Sequence, residues 1–110
     1  MTQDTISKIE GRIQNSPTLS ADQRAELLKL LAGLRTEITA LSKTHQEQAD
    51  SITSLTEASA REATSESKNP EQLQHSIGGL QSSVDEFETS HPQLAAVVNR
   101  IASLLANMGI

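Results

Sequence analysis

Between Leu27 and Leu55 an aliphatic residue recurs every three or four positions, and that repeat limits what the chain can fold into. Counted in sevens, one seam position holds Leu27, Leu34, Leu41, Gln48 and Leu55, and its partner position holds Leu31, Ile38, His45 and Ile52. Seven of these nine residues are aliphatic, and the two polar ones, His45 and Gln48, fall together in the middle. An apolar repeat of seven sustained this far is the pattern of a helix buried along a narrow stripe by other helices, as in a coiled coil. No stretch alternates β-branched and polar residues between turn dipeptides, so strand signals are missing. Phe87 is the sole aromatic residue, with no Trp or Tyr. A core filled by Leu, Ile, Val and Ala suits a thin helical bundle better than a sandwich or an α/β layer. The expected fold class is all-α: an elongated antiparallel helical bundle or hairpin, a single domain, built on one long heptad-patterned helix.

Four helices are expected, over about 2–15, 21–66, 70–89 and 92–108. In the first, Ile6, Ile9 and Ile13 share one face, and Gly11 weakens the helix by about 1 kcal/mol relative to alanine. Pro17 turns its predecessor away from helix. Ser20 with Gln23 three places on forms a capping box for the second helix, and Asp22 adds a favourable charge in its first turn. Beyond Leu55 the seam decays into Ser59 and Glu62, Glu57 and Arg61 are spaced for a weak i,i+4 pair, and the polar run to Lys68 reads as helix fraying into a loop. An unbroken helix over this stretch would be roughly 70 Å long at about 1.5 Å per residue. Asn69-Pro70 supplies cap and first-turn proline for the third helix, which carries Leu73, Ile77, Leu80, Val84 and Phe87. Gly78-Gly79 interrupts that run at a cost of about 2 kcal/mol. The pair marks a bend, a close approach of another backbone, or a tolerated weak spot. The last helix presents Leu94, Val97, Val98, Ile101, Leu104, Leu105 and Met108 as a wide apolar face, with Gly109 and Ile110 placed to cap it.

Chemistry-bearing patterns are sparse. The chain has no cysteine, which excludes disulfides, thiolate metal sites and thiol nucleophiles. The net charge of −5 is spread along the chain without a Lys/Arg cluster, so nucleic-acid binding is not expected. No N-terminal signal pattern and no run of about 20 apolar residues is present, and no membrane association is expected. His45, His75 and His91 fall in no metal-ligand spacing, and neither metal nor cofactor is expected. His45 admits two readings, a polar layer fixing helix register or a histidine on a solvated part of a thinning seam; its protonation is a possible route to pH-sensitive assembly. Asp85, Glu86 and Glu88 read as a solvated helix face. No nucleophile elbow, phosphate loop or dinucleotide fingerprint occurs, so an enzyme is not expected. An enzyme using His91 with Glu88 or Asp85 would need a pocket at that corner.

Phe87, Ser90-His91-Pro92, Leu94, Ile101, Leu104 and Met108-Gly109-Ile110 together resemble an uncharacterised bacterial family of short helical proteins, defined only as a domain of unknown function. The short first helix, the turn from Pro17 to Ser20 and the Leu27-Leu28, Leu30-Leu31 stretch are compatible with it, while 42–68 looks like helix added to the family pattern. The resemblance implies a bacterial, cytoplasmic protein and supplies no catalytic residue. On physical grounds the Phe87–Pro92 corner reads as structural, with Ser90 or His91 capping the last helix and Phe87 packing beside it.

A long seam that one chain covers only in part leads to the functional expectation. It is a non-enzymatic structural or interaction protein, self-associating as a homo-oligomer, most simply a dimer, through Leu27, Leu31, Leu34, Ile38, Leu41, His45, Gln48, Ile52 and Leu55. The alternative is a small regulator or chaperone-like protein that captures an amphipathic segment of an unknown partner.

Overall fold

The computed structural model describes residues 2–67 and 69–108. Helix starts follow the chain's own chemistry. α1 spans Thr2–Gln14 and α2 Ala21–Ser42. Ser20 caps α2 reciprocally: Gln23 N–H donates to Ser20 Oγ at 3.1 Å, and Ser20 N–H donates to Gln23 Oε1 at 3.0 Å. α3 covers Gln46–Ala63. α4, Pro70–Ser83, begins at Asn69, whose Oδ1 accepts from Gln72 N–H at 3.1 Å. A single 3₁₀ turn, Asp85–Phe87, follows, and α5 runs Pro92–Met108. The all-α class is therefore as expected from the heptads.

The expected long helix over 21–66 is two helices. His45 leaves helical geometry at φ −137°, ψ 63°, and its carbonyl accepts from Ala49 N–H at 2.9 Å to start α3. The end of α2 is taken over by local bonds. Thr44 and His45 N–H both donate to Leu41 O, at 3.1 and 2.8 Å. Ser42 Oγ donates to Thr39 O at 2.9 Å, and Thr44 Oγ1 to Leu41 O at 3.4 Å. Hydroxyls that satisfy a helix's last carbonyls compete with its continuation. No Gly or Pro marks the place, and the heptad count passes through it in phase. The molecule measures 37 × 24 × 22 Å, so α2 and α3 do not lie end to end.

The third helix also stops early, at Ser83 rather than Glu88 or Thr89. Val84, Phe87 and Glu88 N–H groups donate three residues back, and Ser83 Oγ takes Leu80 O at 2.6 Å. Asp85, Glu86 and Glu88 would otherwise crowd negative charge onto the negative end of a helix dipole. The expected cap at Gly109 and Ile110, and Lys68, lie outside the described residues.

Neighbouring contacts define the topology. Glu26 pairs with Arg100 at 3.2 Å and Gly33 faces Val97, so α2 and α5 are antiparallel. Leu55 faces Gly79 while Glu47 and Ser51 lie beside Ser83 and Glu86, so α3 and α4 are antiparallel. α2, α3, α4 and α5 form a closed up-and-down ring, each packing on the next and α5 on α2, with α3 also touching α5 across the diagonal. Their shared core includes Leu34, Ile38, Leu41, Ile52, Leu80, Val84, Leu94, Val98 and Ile101, each at most 1% exposed. α1 stands outside this ring. Among the described residues it packs on α2 and α3 and on neither α4 nor α5.

Candidate functional site

The nine seam residues divide once the chain folds. Leu27, Leu31, Leu34, Ile38, Leu41 and Ile52 are 0–1% exposed within one chain. Leu55, Gln48 and His45 lie at half-buried positions. In α3 the buried stripe is Ala49, Ile52, Thr53, Thr56, Ser59, Ala60 and Ala63, one residue out of phase with the Gln48–Leu55 seam. The heptad count passes over this stripe because six of its seven members are small or hydroxylated. A 3.6-residue ladder of Ala, Ser and Thr was the available signal. Thr53 and Thr56 hydroxyls donate to Ala49 O and Ile52 O, both at 2.8 Å, whereas the buried Ser59 Oγ has no partner among the described residues.

Small residues on α3 let a further helix approach closely, and α1 occupies that space. Ile6, Ile9 and Ile13 are 0%, 2% and 0% exposed. Gln3 Nε2 donates to Thr39 Oγ1 at 2.6 Å near one end, and Arg24 reaches Ile13 O near the other, so α1 runs antiparallel to α2. Thr2 and Thr5 lie beside Asp50, Thr53 and Ser54, whereas Lys8, Arg12 and Asn15 lie beside Glu57 and Thr64, so α1 runs parallel to α3. The result is an amphipathic helix lying in a groove between two others.

Two arginines of α2 hold it there. Arg35 donates to Gln3 Oε1, to Ser7 Oγ at 3.1 Å and to the Glu10 carboxylate at 2.7 Å. Gln3, Ser7 and Glu10 sit at i, i+4 and i+7, one row along the edge of α1. The Arg35 and Glu10 side chains are 32% and 31% exposed, so the charge pair contributes under about 1 kcal/mol; its value is in fixing register. Arg24 instead grips backbone. Its Nε donates to Ile13 O at 3.3 Å, and its Nη2 donates to Ser16 O at 2.7 Å and Leu19 O at 3.4 Å. It thereby closes the connection between α1 and α2.

A second constellation lies at the corners after α2 and before α5. The His45, Phe87 and His91 rings meet edge to face, with centroids 5.5 Å apart for His45–Phe87 and Phe87–His91 and 6.2 Å for His45–His91. Thr44 Oγ1 engages His45 Nδ1 at 2.8 Å, and Ser90 Oγ engages His91 Nδ1 at 3.0 Å. Phe87 is 3% exposed and plugs the end of the bundle. Phe87 thus packs at the Phe87–Pro92 corner, and the Ser90 hydroxyl engages His91. His45 stands at the start of α3 in this corner. His75 is exposed on α4. Among the described residues no three His, Cys, Asp or Glu side chains group as a metal site, and no helix is long and apolar enough to cross a membrane.

A family model described as Domain of unknown function (DUF4404) matches residues 27–110. The chain belongs to that family. The DUF4404 span takes in most of α2 and all of α3, α4 and α5, the closed ring, and it runs through 42–68, the segment set apart by sequence. α1 and its connection precede the span. No curated protein and no solved structure matches the chain.

Proposed function

We propose that this protein is a non-enzymatic helical interaction protein whose working surface is the groove between α2 and α3. The observation that supports the reading is the placement of α1. Three isoleucines of a short amphipathic helix are buried in that groove, while the four helices of the DUF4404 span close a ring without it. Helix-in-groove docking is a recurrent recognition mode, with anchors at i, i+3 and i+7 like Ile6, Ile9 and Ile13. The Leu27–Ile52 seam is a poor candidate for the contact surface, since its aliphatic members retain almost no exposed area.

The test uses the full chain carrying Ile6→Ala and Ile13→Ala, which weakens the resident helix, and a fluorescent peptide of residues 2–15. The doubly substituted chain is expected to bind the peptide at least 100-fold more tightly than the wild type, where a tethered competitor acts at an effective concentration of about millimolar. A folded variant that binds no peptide, or equal binding by both chains, overturns the proposal.

A further inference from the structure

We infer that α1 of a second copy of this chain can take the place of the resident α1, and that Arg24 is the latch holding that exchange off. The inference rests on the groove reading above and names the occupant and its control. A second copy's α1 matches the groove in full. It brings Ile6, Ile9 and Ile13 to the buried face and Gln3, Ser7 and Glu10 to Arg35. Every contact between α1 and the groove is the same in the closed monomer and in a pair that has traded helices. What differs is confined to the connection, residues 15–20, and to the entropy of bringing two chains together.

That connection is built to do both. Extended, its six residues 15–20 reach about 20 Å at roughly 3.3–3.6 Å per residue, enough to carry α1 clear of its own groove toward a facing copy. Pro17 disfavours helix at Ser16, so the connection does not simply fuse α1 to α2 when it opens. In the closed form Arg24 bonds three carbonyls within reach of the hinge, those of Ile13, Ser16 and Leu19. Leu19 is 7% and Ser16 6% exposed, and Ser16 Oγ lies 3.0 Å from Thr18 Oγ1, so the closed hinge is itself packed. With the latch in place the closed form competes at the effective concentration of a short tether, about millimolar, and exchange in the wild type is expected only toward that range. Loss of Arg24 moves the balance by about tenfold or more, because its bonds to Ser16 O and Leu19 O belong to the closed hinge alone.

The experiment introduces Gln3→Cys and Thr39→Cys, whose parent side chains are 2.6 Å apart, into a chain that has no other cysteine. After concentration, equilibration and oxidation in a glutathione buffer, a closed monomer forms a link within one chain and an exchanged pair forms links between two. Non-reducing gels then count the pairs, with light scattering for mass. Covalent dimers that appear toward millimolar protein, and at tenfold or more lower concentration when Arg24→Ala is added, are the expected result. Monomers alone in both chains overturn the inference; so do dimers whose links stay within one chain. If the peptide of residues 2–15 still binds the Ile6→Ala/Ile13→Ala chain, exchange alone has failed. If it does not bind, the groove reading has failed with it.

Discussion

Ile9→Ala in α1 separates a helix that docks on a finished bundle from one that completes it. Ile9 is 2% exposed, midway along the buried face of α1. Removing its three outer carbons forfeits about 0.8 kcal/mol each in transfer, and the cavity left behind raises the total to about 3 kcal/mol. At a factor of ten per about 1.4 kcal/mol, the population with α1 undocked rises by about 100-fold or more. Because among the described residues α1 packs on α2 and α3 alone, that cost belongs to a local opening. Hydrogen exchange followed by mass spectrometry resolves it. Amides of α1 should lose about two orders of magnitude of protection, while the slowest amides of α4 and α5 keep theirs. The matching change in the ring, Leu34→Ala, removes a side chain that is 0% exposed and should lower protection in every helix. Equal losses across all five helices in the Ile9→Ala chain would refute the reasoning, since α1 would then belong to one cooperative unit with the ring.

Three further outcomes follow from the packing. A Cβ at Gly78 meets nothing within 4 Å, so Gly78→Ala should stabilise the chain by about 1 kcal/mol in chemical denaturation; at Gly79 it lies 3.4 Å from Leu55 Cδ2, and the gain should be smaller. Leu34→Asp with Leu41→Asp places two carboxylates where both side chains are 0% exposed, so the far-ultraviolet circular dichroism of a helical fold should be lost, rather than a folded chain of altered mass appearing. Ser59→Ala removes a buried hydroxyl that has no partner among the described residues, and stability in chemical denaturation should stay unchanged or rise by up to about 1 kcal/mol.

How much of this was legible in the sequence depended on what kind of signal each element carried. Caps were readable because they are local: Ser20 with Gln23 and Asn69 with Pro70 act over one turn, and both behave as their chemistry dictates. The aliphatic half of the seam and the isoleucine face of α1 were readable because burial leaves a period. The corner at Thr44 and His45 was not, since it is made by ordinary residues whose hydroxyls and amides converge on the carbonyls of Thr39 and Leu41. Tertiary packing selects that break: folding back brings α3 beside α1, with Thr53 of its small-residue stripe next to Thr2 and Thr5, and beside α4, with Leu55 against Gly79. Missing the corner had a functional consequence. A seam imagined along one long helix needs a second chain to cover it, whereas a seam folded at His45 is covered by its own neighbours. The groove for α1 was invisible for the same reason, because it exists only once α2 and α3 stand side by side. Gly79 illustrates the mixed case: the pair reads in the sequence as a bend, a close approach of another backbone or a weak spot, and what stands beside Gly79 is the Leu55 side chain rather than a backbone, while Gly78 is exposed.

Binding of an amphipathic helix in the α2–α3 groove can be observed residue by residue. The most direct measurement is a map of amide chemical shifts in the isotope-labelled Ile6→Ala/Ile13→Ala chain as unlabelled peptide of residues 2–15 is added. The account predicts saturable shifts that cluster on the inner edges of α2 and α3, around Arg35, Thr39 and Thr53, with α4 and the outer face of α5 quiet. Shifts centred on Val97 and Leu104, or none at any peptide concentration in a folded chain, would contradict it.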